Sequence, residues 1–476
     1  MAKMEQVAIL GSGMRSLSEV VTAQRRLNCF YDQRADGDKN TFILRGTPGT
    51  VARITLPTSP IRGWRVIRDV LYVVGGAKLY TVTEAGVVTV VGTLTTFDGY
   101  VSLADNGIEL DIVDGTAGYV LTLATNVFAQ ITDPNFPNGA TTISFLNGRF
   151  QVEKAGTRQY YISQSYAGAT WTPVSFASKE NSSDDIIAVQ VLNGNLILWG
   201  PTAMEFWQDV GASPVPYRRV NGASQNWGLA AVWSRAELNN TLFFLGRNPQ
   251  GRVQVLKLNG YTPVPISTSD LENIINKFTD FTDAVALTYM IDGHPMYQLT
   301  FPSGNRSFLY DDRTSIWQEV QTGLNLINRH YADLGVVFNS KNYVSDYQSG
   351  TIYELMDDVY TDNGAPIKRQ AISRHIRDGG NEFPIDEVML DMETGNGTQT
   401  GQGFNPKIMM RVSKDGGRTY GYERWKEIGK VGQYFSPRVI WQRLGSSRDF
   451  VMEFTMTDPV KFIVTSAFVS SNQEGA

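Results

Sequence analysis

The stretch Ser413-Lys414-Asp415-Gly416-Gly417-Arg418-Thr419-Tyr420 has the residue types and spacing of an Asp-box. In this pattern the Ser and Asp side chains hydrogen-bond to the backbone of a tight hairpin, and the aromatic ring packs beneath. That is folding chemistry, and it predicts a β-hairpin rather than a catalytic centre. Sialidase-type propellers carry the pattern, and so do other β domains. A glycosidase needs two carboxylates flanking a bond, one of them with a raised pKa. The chain has 47 Asp and Glu residues, and no spacing singles out a pair. No arginine cluster of the kind that holds a sialoside carboxylate stands out.

Other chemistries find less support. His294, His330 and His375 are far apart in the chain, and none has a nearby Cys or His to complete a metal set. The single cysteine, Cys29, excludes an intrachain disulfide and reads as a small buried hydrophobe suited to a reducing compartment. Val7-Ala8-Ile9-Leu10-Gly11-Ser12-Gly13-Met14 resembles the start of a dinucleotide-binding unit, but a third glycine and an alternating strand–helix pattern are missing. No Gly-Lys-Ser/Thr loop is present for phosphates. Trp199, Trp207, Trp227, Trp233 and Trp317 are expected in core and interface packing rather than in a binding belt. We therefore expect no catalytic residue, no cofactor and no metal, and no enzymatic activity.

The elements that position these residues are hairpins. From Ile186 to Val210 two apolar runs flank Asn193-Gly194, Gly200-Pro201 breaks the second, and Met204-Glu205-Phe206-Trp207 begins a third. Asn-Gly accepts the positive φ of a tight turn, so this is a strand–turn–strand–turn–strand unit. Similar turn pairs stand at Asp69-Val70, Asn106-Gly107, Asn147-Gly148, Asn239-Asn240, Asp292-Gly293 and Asn339-Ser340, each followed by a short apolar strand. Their spacing of roughly 40–50 residues is that of propeller blades. Unrelated hairpins in a large sandwich are the alternative. We expect an all-β chain, a β-propeller of seven blades (six as the alternative) with a C-terminal β-sandwich-like domain. The divisions are an N-terminal arm and entry segment at 1–60, the propeller at 61–360 and the sandwich at 361–476.

Composition agrees with a folded, turn-rich β protein: 476 residues, 42% hydrophobic, 19% charged, 11% aromatic, with 45 glycines. The net charge of −5 gives the surface as a whole no electrostatic grip on nucleic acid or anionic lipid. No apolar run of membrane-spanning length occurs, nor a signal-peptide segment, so we expect neither membrane anchor nor export. Ser18–Phe30 reads as a short helix or an arm, with Arg25 and Arg26 as a solvated pair or a partner contact. Ala169-Thr170-Trp171 reads as a turn that opens an aromatic strand, and Ser178–Asp185 as a polar rim loop. Ser269-Asp270-Leu271-Glu272 has the form of a capping box, and Leu271, Ile274, Ile275 and Phe278 follow at helical spacing. That helix is expected to pack on a blade. Beyond Asp357 the pattern changes to long alternating strands, Lys407–Val412, Phe450–Met456 and Phe462–Val464.

Taken in order, several stretches resemble the packaged-DNA stabilisation proteins of short-tailed phages, also called tail hub or nozzle proteins. They are Ala23-Gln24-Arg25-Arg26-Leu27-Asn28 with Tyr31, Gly46-Thr47-Pro48-Gly49, Val70-Leu71-Tyr72-Val73-Val74 and Gln159-Tyr160-Tyr161-Ile162-Ser163. Phe176-Ala177-Ser178, Glu205-Phe206-Trp207 and Phe243-Phe244-Leu245-Gly246-Arg247 follow. Asn259-Gly260-Tyr261-Thr262-Pro263 with Ile266-Ser267-Thr268, and Leu299-Thr300-Phe301-Pro302, are the most distinctive. At the C-terminus, Ser413–Tyr420, Trp441-Gln442-Arg443-Leu444-Gly445 with Arg448-Asp449, and Thr457-Asp458-Pro459-Val460 match a module shared among phage tail proteins. The resemblance covers nearly the whole chain. Where the family's opening segment usually reads close to Asn-Leu-Tyr-Pro-Glu, this chain has Asn28-Cys29-Phe30-Tyr31-Asp32.

The resemblance implies a structural virion protein, made in the host cytoplasm and built into the tail as a homohexameric ring below the portal and its adaptor. Such a ring retains the packaged genome, is closed by a tail needle or plug, neighbours tailspikes or fibres, and conducts DNA at ejection with non-specific contact. Two other readings are kept beside it: a glycan-binding or glycosidase-type propeller acting at the host surface, and a monomeric scaffold propeller.

Overall fold

The computed structural model describes residues 3–7, 14, 18, 21–33, 42–433 and 438–471. Gly11-Ser12-Gly13 lies outside the described residues. From Ile61 to Met356, seven antiparallel sheets succeed one another among the described residues. Their first strands of three residues or more are Ile61–Ile67, Ser102–Asp105, Ile143–Leu146, Ala188–Leu192, Ala236–Leu238 (after the two-residue strand Gly228–Leu229 and a 3-10 turn, Val232–Ser234), Val285–Ile291 and Ala332–Phe338. First strands of successive sheets touch, and Ala332–Phe338 returns to Ile61–Ile67, so the series closes on itself as a propeller. Across the fourth and fifth sheets the link is the Arg235 hydrogen bond to Val189 O at 3.4 Å.

Local turn chemistry explains the repeat. Asn147, Asn193, Asn239, Asp292 and Asn339 take φ between 46° and 51°. Leu146 pairs with Arg149, Leu192 with Asn195, Leu238 with Thr241, Ile291 with His294 and Phe338 with Lys341, which leaves two-residue loops. Asn and Asp tolerate this left-handed region because their short polar side chains bond locally. Two expected turns shift. Ile67 pairs with Val70, so the first turn is Arg68-Asp69, not Asp69-Val70, with Arg68 at φ 53°. Asn106 opens a wider turn, accepting from the N–H groups of Ile108 and Glu109 at 2.8 and 2.7 Å. The turn expected at Ala169-Thr170-Trp171 lies inside the strand Ala167–Ser178. Tyr166 makes that reversal instead, at φ 51°.

Each pair of neighbouring sheets buries an apolar cluster between them, since a four-stranded sheet cannot cover both faces alone. Edge-to-face aromatic pairs recur in these seams, Trp199 with Phe244 at 4.8 Å and Tyr160 with Trp207 at 5.6 Å. Burying a side chain of this size contributes about 1.5–3 kcal/mol or more. The helix Ser269–Ile275 packs Leu271 and Ile275 into the seam of the fifth and sixth sheets. Its cap is Thr268, whose hydroxyl accepts from Leu271 N, so the expected capping box at Ser269 is displaced by one residue. Glu272 instead accepts from Ser267 and Gln254.

Segments from before Ile61 complete sheets made by residues hundreds of positions later. Gly49–Thr55 pairs antiparallel with Thr351–Met356 and supplies the outer strand of the last propeller sheet. Arg25–Leu27, a strand rather than a helix, pairs parallel with Ile316–Val320 and antiparallel with Arg369–Ile372. Nine strands therefore form one sheet that runs from the sixth propeller sheet into the C-terminal unit through Val451–Met456, Lys407–Ser413 and Arg424–Glu427. Facing it is a second sheet of Cys29–Gln33, Phe42–Gly46, Ile463–Ser471, Phe383–Met392 and Arg438–Ser447, with Lys3–Val7 paired to Ile463–Ser471. A shared apolar core, including Trp441, Phe450 and Phe454, lies between the two sheets. This is the β-sandwich.

Candidate functional site

Side chains from different blades meet in the middle of the ring. A cavity of about 410 Å³ lies there, lined among others by Arg65, Asp105, Gln190, Trp233, Arg235 and Glu237. Arg65 donates to Asp105 at 2.8 Å, and Arg235 donates to Val232 O at 2.8 Å and to Gln190 at 3.2 Å. Burial pushes the Arg235 guanidinium down to about 10, opposed by Glu153, so it stays charged near neutrality. Burial raises the Glu237 carboxyl, opposed by Arg65. Two cations against two anions give the cavity no pull on a polyanion.

Beside it the axis is filled. Tyr100 precedes the second sheet, Trp233 belongs to the fifth and Asp333 to the seventh. The Tyr100 ring lies 5.2 Å from that of Trp233, and its hydroxyl donates to Asp333 at 2.8 Å. Burial pushes the Asp333 carboxyl up to about 6, although the Tyr100 hydrogen bond and Arg329 pull the other way. These contacts bridge non-neighbouring blades. The propeller axis is a packed centre holding a ligand-sized space, not an open duplex-sized bore.

A second set of charges joins propeller to sandwich. Arg45, from the second sandwich sheet, donates to Asp292 and Asp357 at 2.7 Å each and to Asp32 at 3.2 Å. The Arg45 hydrogen bond holds the Asp292 carboxyl below its ordinary value, whereas burial raises Asp357 against Arg45's pull. His294 is fully buried, with Nδ1 2.8 Å from Asp311 and Nε2 3.3 Å from Asp32. Arg25 donates twice to one oxygen of Glu319, at 3.1 and 2.7 Å. Arg25 is therefore a buried tie between elements, not a solvated residue.

The residues singled out by type do not converge. His330 stacks on Tyr331, and burial pushes its imidazole down to about 4. His375 faces Asp449 at 2.9 Å, far from His294 in the chain. Among the described residues no group of three or more His, Cys, Asp or Glu is arranged to hold a metal ion. Cys29 is buried, with its thiol raised to about 12 chiefly by that burial. Trp199, Trp207 and Trp317 are core residues, Trp227 is partly buried against the cluster around Trp199, and Trp233 reaches the axis. The Asp-box folds as expected: Gly417 N donates to Ser413 Oγ at 2.8 Å, and Thr419 N to Asp415 at 2.9 Å. Burial opposes them, but hydrogen bonds from Thr419, Ser413 and Arg418 hold Asp415 at about 2. Tyr100, Asp333 and Arg45 were not singled out by sequence, because Tyr100 and Asp333 stand 233 residues apart and Arg45 reaches Asp292 and Asp357, 247 and 312 residues away.

A closed ring of antiparallel sheets with a packed axis, continuous through one sheet with a C-terminal sandwich, defines a β-propeller–β-sandwich protein. Two family models match it, one described as bacteriophage P22 Gp10, beta-propeller, over residues 33–360, the other as bacteriophage P22 Gp10, beta-sandwich, over residues 368–472. The chain belongs to the bacteriophage P22 Gp10 family, the packaged-DNA stabilisation proteins of short-tailed phages, and is thus a phage structural stabilisation protein and a virion component. No curated protein matches it. Among solved structures it is similar to the extracellular domain of the putative one component system BT4673 from B. thetaiotaomicron. There the TM-score is 0.44 at 8% identity, over 80% of this chain and 47% of that one. A chain of the Mitotic Checkpoint Complex gives 0.40 at 11% identity, over 68% and 98%. The computationally designed Ika8 protein gives 0.39 at 11%, over 70% and 99%. The chain thus spans about half the length of the first of these. No helix among the described residues is long and apolar enough to cross a membrane.

Proposed function

We propose that this chain is the repeating subunit of a tail hub or nozzle, a homohexameric ring that extends the portal channel, retains the packaged genome and conducts DNA at ejection. The observation that carries the reading is the filled propeller axis. Tyr100, Trp233 and Asp333 meet there, so a duplex has no path through one chain, which favours a conduit formed between copies. The nine-stranded sheet supports the same reading, because it makes propeller and sandwich one hydrogen-bonded body able to bear load along a channel wall. Adaptor, needle or plug, and tailspikes or fibres are the partners this role calls for. DNA contact in the lumen would be non-specific. The net charge of −5 suits a wall that phosphates slide past rather than adhere to.

The test is the mass of the purified chain alone and after mixing with portal–adaptor complex, by sedimentation velocity or native mass spectrometry. A hexameric ring added to the portal is the expected result. A monomer that never associates overturns the proposal and sends attention to a glycan array.

A further inference from the structure

The cavity in the middle of the ring has two charged sides, each with hydrogen-bonding groups left over. Arg235 enters it just before the strand Ala236–Leu238, from backbone that is already extended. Ala236 and Leu238 pack into the seam of the fifth and sixth sheets, so strand alternation sends Arg235 and Glu237 the other way, where both line the cavity. Arg235 Nε donates to Val232 O, and Nη1 to Gln190 Oε1 and Val189 O on the fourth sheet. All three acceptors are uncharged, and among the described residues Nη2 has none. Glu153, the carboxylate that acts on Arg235, has both oxygens taken up by Thr141 and Thr142. Gln190 gives its oxygen to Arg235, and among the described residues its Nε2 has no acceptor.

The other side is acidic. Arg65 on the first sheet donates to Asp105 Oδ1 on the second at 2.8 Å and also acts on Glu237. One cation thus serves two carboxylates. Among the described residues Asp105 Oδ2 and both Glu237 carboxylate oxygens accept no hydrogen bond. The cavity is therefore dipolar, with a cation and an amide donor beside the fourth sheet and one carboxylate in excess beside the first and second. Ile143 and Phe145, from the third sheet in between, add apolar wall. A ligand with a single charge satisfies one side and leaves the other without compensation, whereas a ligand with both charges satisfies the two together.

We propose that this cavity binds a small zwitterion of the ω-amino acid class, its carboxylate on Arg235 Nη2 and Gln190 Nε2 and its ammonium on Asp105 and Glu237. Guanidinium and amide N–H groups side by side are donors suited to a carboxylate, and two carboxylates are acceptors suited to an ammonium. The two sides stand on non-neighbouring sheets of the ring, so a chain has to separate the ligand's charges, and Ile143 and Phe145 are apolar enough to cover it. The volume of about 410 Å³ lies in the range of small-molecule sites. The site is complete within one chain and does not depend on a ring of copies.

The experiment is calorimetric titration of the full chain with ω-amino acids from β-alanine to ε-aminocaproate, each beside the carboxylate and the amine that lack one of its charges. One of the series should bind once per chain with Kd below about 1 mM. Its matched carboxylate and amine should bind about tenfold more weakly, the effect of losing one charge-assisted hydrogen bond. Glu237→Gln, which removes no hydrogen bond of the fold, should weaken the zwitterion about tenfold and leave the carboxylate unchanged. Arg235→Gln should weaken the zwitterion and the carboxylate together. Should that variant not fold, Glu237→Gln and the matched ligands still decide the matter. Saturation by no member of the series overturns the proposal. So does a carboxylate or amine that binds as tightly as its zwitterion, or a Glu237→Gln variant that binds the zwitterion as the natural chain does.

Discussion

Replacing Arg25 by methionine asks whether propeller and sandwich act as one body. Arg25 stands on the strand that bridges them, 8% exposed, and its partner Glu319 on the sixth propeller sheet is 3% exposed. Two of its N–H groups converge on Glu319 Oε2, and a third reaches Gln370 on the sandwich at 3.4 Å. Removing one member of a buried ion pair costs about 3–5 kcal/mol, because the other charge is left without compensation. Arg306 remains 3.0 Å from Glu319 Oε1, an ion pair that lacks hydrogen-bond geometry, so it compensates in part. Arg25→Met should therefore fall at the lower end, about 3 kcal/mol. Glu319→Gln is the second arm of a double-mutant cycle, and the double variant should cost about 2 kcal/mol less than the two single costs combined. Urea unfolding followed by tryptophan fluorescence reads the free energies. Limited proteolysis of residues 357–368 reads the loosening of the connection, and cleavage should be faster in Arg25→Met. Costs that add to within about 0.5 kcal/mol, with unchanged proteolysis, would refute the argument that this pair fastens the two units.

Three further outcomes follow from the same structure. Asp333 titrates at about 6 when folded, above its ordinary 3.8, so the folded chain takes up this proton first and the associated stability is lost as pH rises through 6. Asp333→Asn removes the effect: its stability relative to wild type should grow by about 1.4 kcal/mol between pH 5 and pH 8 in denaturant titrations, and a constant difference would contradict the assignment. Gly46→Ala should destabilise by about 1–3 kcal/mol through collision with Arg369, and adding Arg369→Leu should recover part of the loss in thermal melts. Asp415→Ala should loosen only the exposed Asp-box hairpin, by less than about 1 kcal/mol. Its contribution is present above the ordinary carboxylate value and disappears as pH falls through about 2, which amide exchange at Arg418 and Thr419 would follow.

The repeat was legible because each turn is chosen by a few adjacent residues. Asn193-Gly194 or Asn339-Ser340 adopts its reversal for local reasons, and five of the seven turn pairs fell where the pattern put them. The Asp-box was legible for the same reason, as its bonds span no more than four residues. The helix at Ser269 was found, but its cap was read one residue late, because both Thr268 and Ser269 carry a hydroxyl and only the backbone angles distinguish them. Where apolar periodicity was the guide, register slipped. Tyr166 turns the chain although nothing in its type announces a left-handed residue.

Sequence by itself thus determined an all-β chain of recurring hairpins with a changed pattern at its C-terminal end, since those properties rest on contacts a few residues apart. Tertiary structure alone decided how the ring closes, what fills its axis and how its two units are fastened. Gly49–Thr55 finds Thr351–Met356, Tyr100 finds Asp333 across the axis, and Arg45 gathers Asp32, Asp292 and Asp357. Each of these partnerships is made only after the intervening sheets have stacked and set the distance. A charged or aromatic residue carries no mark in sequence of which distant partner that stacking will bring to it.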